Sequence, residues 1–356
     1  MNRFALGLTI TCAALLGVAA WCGVFGRGTT VPPGPQLQHD VRPGPGTAQT
    51  LLSAYGPGLA GTPGDTPVYI LRGASPGGTA LVIAGTHGNE IAGIVAAVVL
   101  VEHARVTRGR VIVVPHANNS AMSYADPVRP GPDWVTLEGA SGPRRFRYGA
   151  RRTNPAHQGS PDPPVYRHPA AGEPLAGVEA RNLARAYVGD PQGTLTRRIA
   201  AAIVRLVEDE RADIVVDLHE NEPDAPLAWA IVSHPEDRDL ALEAAARLEE
   251  EGLEMVVETS VRAPRGVSHR EIGDATPARA FLLETPNPAQ VRHSQGVDVV
   301  THPELPLARR VGAHLSGVRA LLAVHNAHVD DAARVDVRDL PTWAEVMAEG
   351  VGRYLR

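Results

Sequence analysis

Two stretches of the sequence place histidines and a carboxylate where they could bind a metal ion. In the first, the apolar residues 81–84 lead into Gly85-Thr-His87-Gly-Asn-Glu90. An imidazole and a carboxylate three positions apart at a strand end can converge on one ion, and the flanking glycines let the backbone turn. Taken alone, the stretch fits equally well the first turn of a helix with a solvent-exposed histidine.

The second stretch, residues 214–220, reads Ile-Val-Val-Asp-Leu-His-Glu and becomes polar only near its end. It places His219 at the same predicted sheet edge as His87, with Asp217 two residues earlier as an acceptor that could orient the imidazole. Two histidines and one carboxylate, with a fourth position left for water, are typical of a catalytic zinc site. We therefore predict one Zn²⁺ ion, bound by His87, Glu90 and His219.

A third predicted strand, residues 279–283, is followed by Glu284 and then by a proline at position 286. Glu284 would face the same sheet edge as the predicted metal site. A carboxylate there can take a proton from water and pass it to a leaving amine, provided that its pKa is raised towards neutrality. Without the metal site, a solvated glutamate would be the simpler interpretation. Together, the three stretches predict a zinc-dependent hydrolase with Glu284 as its catalytic base.

The elements that must position these residues follow from residue 67 onward, where β-branched runs alternate with alanine-rich segments. This alternation predicts a single α/β domain. The predicted strands are 68–71, 80–84, 110–114, 214–218, 227–232, 255–258 and 279–283, and the predicted helices are 90–103, 194–208, 237–251 and 307–324. Residues 120–174 are dense in proline, glycine and arginine, so we expect irregular loops there that form the walls of the site.

The N-terminal 26 residues are interpreted as a signal peptide or a membrane anchor. Residues 4–25 carry no charge and follow Arg3. The small residues at 18–20 suit cleavage, whereas the length of the apolar run suits anchoring, so both alternatives stay open. In either case the protein is expected to be exported, to a periplasmic or extracellular location.

Composition predicts the remaining domain boundaries and excludes one class of partner. Residues 27–65 are rich in glycine, proline and threonine, which predicts an extended linker, followed by the hydrolase domain at 66–328 and a helical tail at 329–356. Both cysteines, Cys12 and Cys22, precede the domain, so it has no thiolate ligand. With 34 basic and 39 acidic residues, the chain lacks the basic excess of a nucleic-acid-binding protein.

These residues resemble the zinc-carboxypeptidase superfamily, in particular its succinylglutamate desuccinylase and aspartoacylase branch. That pattern is His-x-x-Glu, a distant histidine and then a catalytic glutamate, matched here in order by His87, Glu90, His219 and Glu284. The resemblance spans residues 68–324. It implies a mixed, mostly parallel central sheet flanked by helices, and cleavage of an amide bond in a small substrate that carries a carboxylate.

The resemblance also implies a substrate-binding segment. The family has Asp-Leu-Asn-Arg followed by an aromatic residue and a glycine, whereas residues 182–189 read Asn-Leu-Ala-Arg-Ala-Tyr-Val-Gly. Asn182 replaces the aspartate and Ala184 the asparagine, while Arg185 and Tyr187 keep their places. The implied contacts to substrate come from Arg185, with Arg181, Asn182 and Tyr187 beside it.

Two further roles have candidates but no fixed residue. The family uses a second arginine to polarise the scissile carbonyl, for which Arg152, Arg167 and Arg181 are candidates. His269 is a candidate fourth metal ligand, although a position in a solvated loop is the simpler interpretation.

Three functions remain open at this point. The Thr-His-Gly-Asn-Glu motif favours an N-acyl amino acid deacylase. The expected export of the protein favours a metallocarboxypeptidase that acts on peptides or cell-wall stems. The third is a non-catalytic, membrane-tethered binding module of the same fold, which the loss of the asparagine at position 184 favours.

Overall fold

The computed structural model describes residues 37–128, 131–170, 172–259, 265–291 and 296–356, which belong to one compact unit. The predicted signal peptide or anchor, residues 1–26, lies outside this described part and stays a prediction. Within the described part, no helix combines the length and the apolar character that crossing a bilayer requires.

A mixed sheet forms the centre of the domain. Its strands are β1 (Ala48–Leu51), β2 (Pro67–Arg72), β3 (Ser75–Ala84), β4 (Arg105–Val114), β9 (Ile214–Asn221), β10 (Ala230–Ser233), β11 (Val256–Thr259), β12 (Arg279–Pro286) and β13 (Asp336–Arg338). Their order across the sheet is β1-β2-β4-β3-β9-β12-β10-β11, with β13 paired to β4. The four central strands, β4, β3, β9 and β12, are parallel to one another. Antiparallel strands flank them on both sides. The predicted mixed, mostly parallel sheet is confirmed.

Helices cover both faces of this sheet. They are α1 (Ile91–His103), α2 (Leu195–Asp209), α3 (Arg238–Glu250), α4 (Ser268–Ala275), α5 (Leu307–Ala327) and α6 (Trp343–Glu349). Side chains alternate along β3, so that Val82 belongs to the buried cluster that includes α1, α3 and α5, while Leu81 belongs to the cluster that includes α2 and α4. Because both faces are covered, the buried parts of the central strands are mainly apolar on both faces, as buried parallel strands usually are.

The register of the sheet brings the predicted site together. In β9 and β12, His219 pairs with Glu284. In β3 and β9, Ala84 pairs with Leu218, so the loop after β3 begins beside His219. Polar residues that follow three apolar strands thus meet at the carboxyl edge of the sheet, where open α/β sheets place their sites.

The predicted boundaries are wrong at both ends of the domain. Within the predicted linker 27–65, β1 pairs with β2, and Leu52 and Leu59 are fully buried against the sheet. Within the predicted tail 329–356, β13 extends the sheet, and Leu355 is buried. The surrounding glycine, proline and charged residues dominate the composition of both segments, but these few buried apolar side chains are enough to pack each segment against the domain.

Residues 120–174 are less irregular than predicted. They contain a hairpin, β5 (Trp134–Gly139) with β6 (Gly142–Arg147), and β7 (Val165–Tyr166), which pairs with β8 (Leu175–Ala176). In β5 the buried Val135 and Leu137 alternate with exposed side chains, which is the pattern of a half-buried strand. The other described residues of this segment form loops and two short 3-10 helices.

Candidate metal centre

The loop after β3 is shaped by two glycines. Gly85 has a φ of +67°, a conformation that side chains with a Cβ rarely adopt. Gly88 exchanges backbone hydrogen bonds with residues 149 and 150, at 2.8 Å each. A Cβ on Gly88 would lie 2.9 Å from the carbonyl oxygen of Ala150. This close approach fixes the backbone on either side of His87 and directs the following Glu90 to the start of α1.

His87, Glu90 and His219 converge at the sheet edge. Their ligand atoms lie within 4.8 Å of one another, and all three side chains are almost fully buried. Nδ1 of His87 lies 2.6 Å from Oε1 of Glu90, and Nδ1 of His219 lies 2.9 Å from Oε2. The two imidazole rings meet edge to face at 5.0 Å. Both histidines therefore direct the same ring nitrogen towards one shared carboxylate.

This donor set fits a divalent zinc ion. Each oxygen of the buried Glu90 carboxylate faces the Nδ1 atom of one imidazole, at 2.6 and 2.9 Å. The three side chains thus direct two ring nitrogens and a carboxylate to one buried place, where a cation would balance the negative charge. Two imidazoles and one carboxylate, with room for a fourth ligand, are the chemistry that zinc prefers in catalytic sites.

The outer nitrogens of both rings face fixed acceptors. Nε2 of His87 lies 2.9 Å from Oδ1 of Asn182, and Nε2 of His219 lies 3.0 Å from Oδ2 of Asp217. Asp217 also accepts hydrogen bonds from the hydroxyls of Thr86 and Ser268. Acceptors at Nε2 keep the proton on that nitrogen, which leaves Nδ1 free to bind a metal ion. The predicted orienting position of Asp217 is therefore present, and Asn182 has the equivalent position at His87.

Burial and charge act differently on the three ligands. Burial lowers the pKa of His87 to about 4, with a further contribution from Arg151. Burial alone would raise the pKa of Glu90, but the two imidazoles outweigh it and hold that pKa well below its usual value. For His219, burial is outweighed by Asp217 and Glu90, which raise its pKa well above the ordinary value. Metal binding at this site would therefore displace a proton from His219.

Glu284 lies on β12, next to His219 in the register. Burial, together with the charge of the neighbouring Glu90, raises its pKa to about 8 against the opposing effect of His219. Its Oε2 has no hydrogen-bond partner among the described residues. A carboxyl with a pKa near neutrality can both accept and return a proton, which is what a general base and acid must do.

A cavity of about 430 Å³ lies beside Glu90 of the metal-binding group. Arg151 and Gln290 line it, and both contact Oε1 of Glu90, at 3.5 and 3.3 Å. The rest of its wall comes from charged, polar and apolar residues, namely Tyr124, Asp126, Pro127, Val128, Arg152, Pro155, Val178, Arg181, Asn221 and Glu222. The predicted role of segment 120–174 as a wall of the site agrees with this lining.

Arg185 is the predicted substrate contact that retains a free charge. Its Nη1 donates to the carbonyl oxygen of Ala184, and no described carboxylate forms an ion pair with it. Burial lowers its pKa, as does the nearby Arg151, while Glu179 and Glu284 act in the opposite direction. A partly buried guanidinium without a counterion is suited to binding the carboxylate of a ligand.

The other arginine candidates have partners elsewhere. Arg181 is paired with Asp162 and also donates to the carbonyl oxygen of Thr153. Arg152 is paired with Glu179, and Arg167 is exposed. The guanidinium beside the metal-binding group belongs instead to Arg151, which our sequence analysis missed. Its approach depends on the Gly88 backbone contacts, and the sequence offers no signal for them beyond two adjacent arginines.

Two further predicted residues lie away from the cavity. Tyr187 is fully buried, and the negative charge of Asp217 lies near its hydroxyl. His269 is not in a solvated loop: it lies buried on α4, and neither ring nitrogen has a hydrogen-bond partner in the described part of the chain. His269 is also absent from the group that could hold a metal ion.

Comparisons with known proteins agree with this geometry. Residues 76–285 match the succinylglutamate desuccinylase/aspartoacylase catalytic domain. A curated relative, N-alpha-acetyl-L-2,4-diaminobutyric acid deacetylase of Halomonas elongata, is 29% identical over 156 residues, which cover 43% of this chain and 31% of the relative. The match thus spans about a third of that protein.

Solved structures with a similar chain arrangement include a succinylglutamate desuccinylase from Silicibacter, at 21% identity and a TM-score of 0.46, covering 73% of this chain and 60% of the other. Another is the cell shape determinant protein Csd4 from Helicobacter pylori, at 15% identity and a TM-score of 0.49, covering 79% and 59%. Likeness at this level says nothing about substrate. The family match covers more than half of the sequence, and the chain belongs to the succinylglutamate desuccinylase/aspartoacylase catalytic domain family.

Proposed function

We propose that this protein is a zinc-dependent deacylase that hydrolyses the amide bond of a small N-acyl amino acid. The observation that carries the proposal is the buried convergence of His87, Glu90 and His219 next to the carboxyl of Glu284. Family members are hydrolases of the deacylase type, and the diaminobutyrate relative is by name a deacetylase. A non-catalytic binding module would have no use for a buried carboxyl with a pKa near neutrality.

The chain's own residues account for the proton transfers. When bound, a zinc ion would act as a Lewis acid on the scissile carbonyl and on water. Glu284 takes a proton from the attacking water, whose oxygen forms a bond to the carbonyl carbon. The carbon–nitrogen bond then breaks, and Glu284 returns the proton to the leaving nitrogen. The products are a carboxylic acid and an amine, so atoms and charge balance without another reactant.

Two arginines position the substrate in this proposal. Arg185 binds the carboxylate of the amino acid, because it is a partly buried cation without a counterion among the described residues. Arg151, which lies at the cavity and 3.5 Å from Glu90, stabilises the negative charge that develops on the carbonyl oxygen. The cavity beside Arg151 then holds one side of the scissile bond.

The test is to measure zinc content and hydrolysis in the purified full-length chain. We expect about one zinc per chain, and hydrolysis of N-acetyl or N-succinyl amino acids that have a free carboxylate. Peptides that resemble cell-wall stems, included in the same panel, test for the carboxypeptidase alternative. A preference for these peptides would overturn the proposed substrate class.

The Glu284→Gln variant tests the chemistry itself. Removal of the general base should lower kcat by about 10²- to 10⁴-fold, while zinc content stays at the parent value. Glu258→Gln changes an exposed glutamate on β11 of the same sheet and is the matched control. Absence of stoichiometric zinc, or unchanged hydrolysis by Glu284→Gln, would contradict the proposed mechanism.

A further inference from the structure

Two buried side-chain amides follow the strand that carries Glu284. Asn287 and Gln290 are 0% and 1% exposed. The backbone N–H of Asn287 donates to the carbonyl oxygen of Asn221 at 2.8 Å, and that of Gln290 donates to the carbonyl oxygen of Asn287 at 3.0 Å. These bonds hold the segment in a tight turn against the end of β9.

Each amide connects the two segments that supply the metal ligands. Nε2 of Gln290 donates to Oε1 of Glu90 at 3.3 Å and to the carbonyl oxygen of Glu220 at 3.1 Å. Nδ2 of Asn287 donates to the carbonyl oxygen of Asn89 at 3.0 Å and to Oε2 of Glu220 at 3.1 Å. Asn89 and Glu90 on one side, and Glu220, which follows His219, on the other, are therefore connected by two side-chain amides.

The chemistry of these contacts determines the orientation of the Gln290 amide. Its two partners are a carboxylate oxygen and a carbonyl oxygen, which only accept hydrogen bonds, so the NH₂ group must lie between them. Gln290 is a neutral donor to Oε1 of Glu90, which Arg151 also approaches at 3.5 Å, and a neutral donor fixes the carboxylate without cancelling its charge. Orientation of a ligand without loss of its charge is what an outer partner of a metal site provides.

We propose that Gln290, supported by Asn287, is a positioning residue that fixes the orientation of the Glu90 carboxylate for metal binding. Because the turn directly continues β12, it also ties the strand of the catalytic base to the two ligand segments. The proposal rests on the proposed function only in taking zinc as the bound ion. It assigns no contact between Gln290 and the reacting atoms.

The test measures zinc affinity of the full-length chain by competition with a chromophoric chelator. Gln290→Met keeps the side-chain volume but removes both donors, and we expect zinc to bind about ten- to one-hundredfold more weakly. Gln290→Asn keeps the amide but is one methylene shorter, so it cannot reach both acceptors and should give a smaller loss. If Gln290→Met does not fold, the Gln290→Asn measurement decides.

Gln158→Met is the matched control. Gln158 is equally buried, at 2% exposure, and its amide binds the hydroxyl of Thr196 and the carbonyl oxygen of Ala180. Its loss should lower the Tm of the metal-free protein and leave zinc affinity within about twofold, because it has no contact with the metal-binding group.

The outcomes separate this proposal from the proposed function. Parent-like zinc affinity in a folded Gln290→Met or Gln290→Asn variant overturns the positioning role and leaves the deacylase proposal intact. Weakened zinc binding in these variants, in a protein that hydrolyses no acyl amino acid, supports the positioning role and overturns the deacylase proposal. A Gln158→Met variant that weakens zinc binding as much as Gln290→Met also overturns the proposal, because the effect would then be a general loss of packing.

Discussion

Nε2 of His87 lies 2.9 Å from the amide oxygen of Asn182, the residue that stands in place of the aspartate in the Asp-Leu-Asn-Arg motif that this segment resembles. The amide nitrogen of Asn182 in turn donates to Oε2 of Glu179 at 2.7 Å, and Glu179 is paired with Arg152. The negative charge that an aspartate would place directly on the imidazole is thus one residue further out. His87 is held by a neutral group, and this contact leads us to infer that Asn182 orients the imidazole of a proposed metal ligand.

Asn182→Ala should therefore weaken zinc binding by about ten- to one-hundredfold, because the His87 ring loses the acceptor that fixes its tautomer. Glu179→Gln, which leaves the amide in place but removes the charge behind it, should give a smaller loss. Chelator competition measures both. Asn326→Ala removes an asparagine that bonds to Val335 on the far side of the domain, and it should lower stability without changing zinc affinity. Parent-like affinity in Asn182→Ala would contradict the assigned role.

Arg185→Met should change activity and stability in opposite directions. Loss of the guanidinium should raise KM and lower kcat/KM by about a hundredfold for substrates with a free carboxylate, which corresponds to about 2.7 kcal/mol. The corresponding carboxamide substrate should be little affected. Meanwhile the Tm should rise, because the variant removes a partly buried charge that has no counterion in the described part of the chain.

Arg205→Met serves as the control for this prediction, since Arg205 is exposed on α2 and paired with Asp209. Steady-state kinetics on the carboxylate and carboxamide substrates, together with thermal unfolding of the metal-free protein, give both readouts. Equal losses on the two substrates would show that Arg185 does not recognise the carboxylate.

A buried ion pair next to the metal ligands gives a prediction about stability. Glu220 and Arg310 contact each other with no exposed side-chain surface, and Glu220 also accepts from the backbone N–H of Ala92 in α1. Arg310→Met leaves the glutamate buried and unpaired, which should cost about 3–5 kcal/mol of the free energy of unfolding. The double variant with Glu220→Gln should recover most of that loss. Urea denaturation of the metal-free protein measures both.

The partly exposed pair of Arg319 and Glu251 provides the comparison. Arg319→Met should cost less than about 1 kcal/mol, because solvent screens that pair. If Arg310→Met costs no more than Arg319→Met, the Glu220–Arg310 pair does not hold the strand end in place.

The parts of the fold that could be predicted from sequence are those with a strong periodic signal. The central strands are apolar on both faces, and the four long helices follow them in alternation, so their type and order are readable. The edge strand β1 has mostly exposed side chains and no such signal. In β5 the alternation of Val135 and Leu137 was present, but the surrounding proline and arginine obscured it.

The residues of the candidate site also differ in whether their positions could be predicted from sequence. His87, Glu90, His219 and Glu284 follow apolar strands, and the carboxyl ends of neighbouring parallel strands must meet, so their convergence follows from the fold class. Arg151 reaches the site through backbone contacts between two loops. Such contacts depend on the folded backbone and leave no periodic trace in the sequence.

A stacked pair of histidines leads to a prediction about pH. His39 and His116 stack with ring centroids 3.5 Å apart, and His39 also bonds to Asn119. Burial lowers the pKa of both imidazoles, and the proximity of His39 adds to the effect on His116. The folded state thus keeps both imidazoles neutral, whereas each would titrate near the ordinary histidine pKa of 6.5 in the unfolded chain. The stack's contribution to stability is fully present above pH 6.5 and is lost as the pH falls below it, because the unfolded state binds protons first.

Between pH 7 and pH 5, each such histidine can contribute up to about 2 kcal/mol of lost stability, at about 1.4 kcal/mol per pH unit below 6.5. His116→Phe keeps an aromatic ring in the stack and removes one titrating group. The difference in free energy of unfolding between these two pH values should therefore shrink by about 1–2 kcal/mol. His103→Phe changes an exposed histidine and should leave that difference unchanged, so equal slopes for the parent and His116→Phe would contradict the prediction. Because His39 precedes β1, in the segment predicted as a linker, the same measurement reports whether that segment stays packed on the domain as the pH falls.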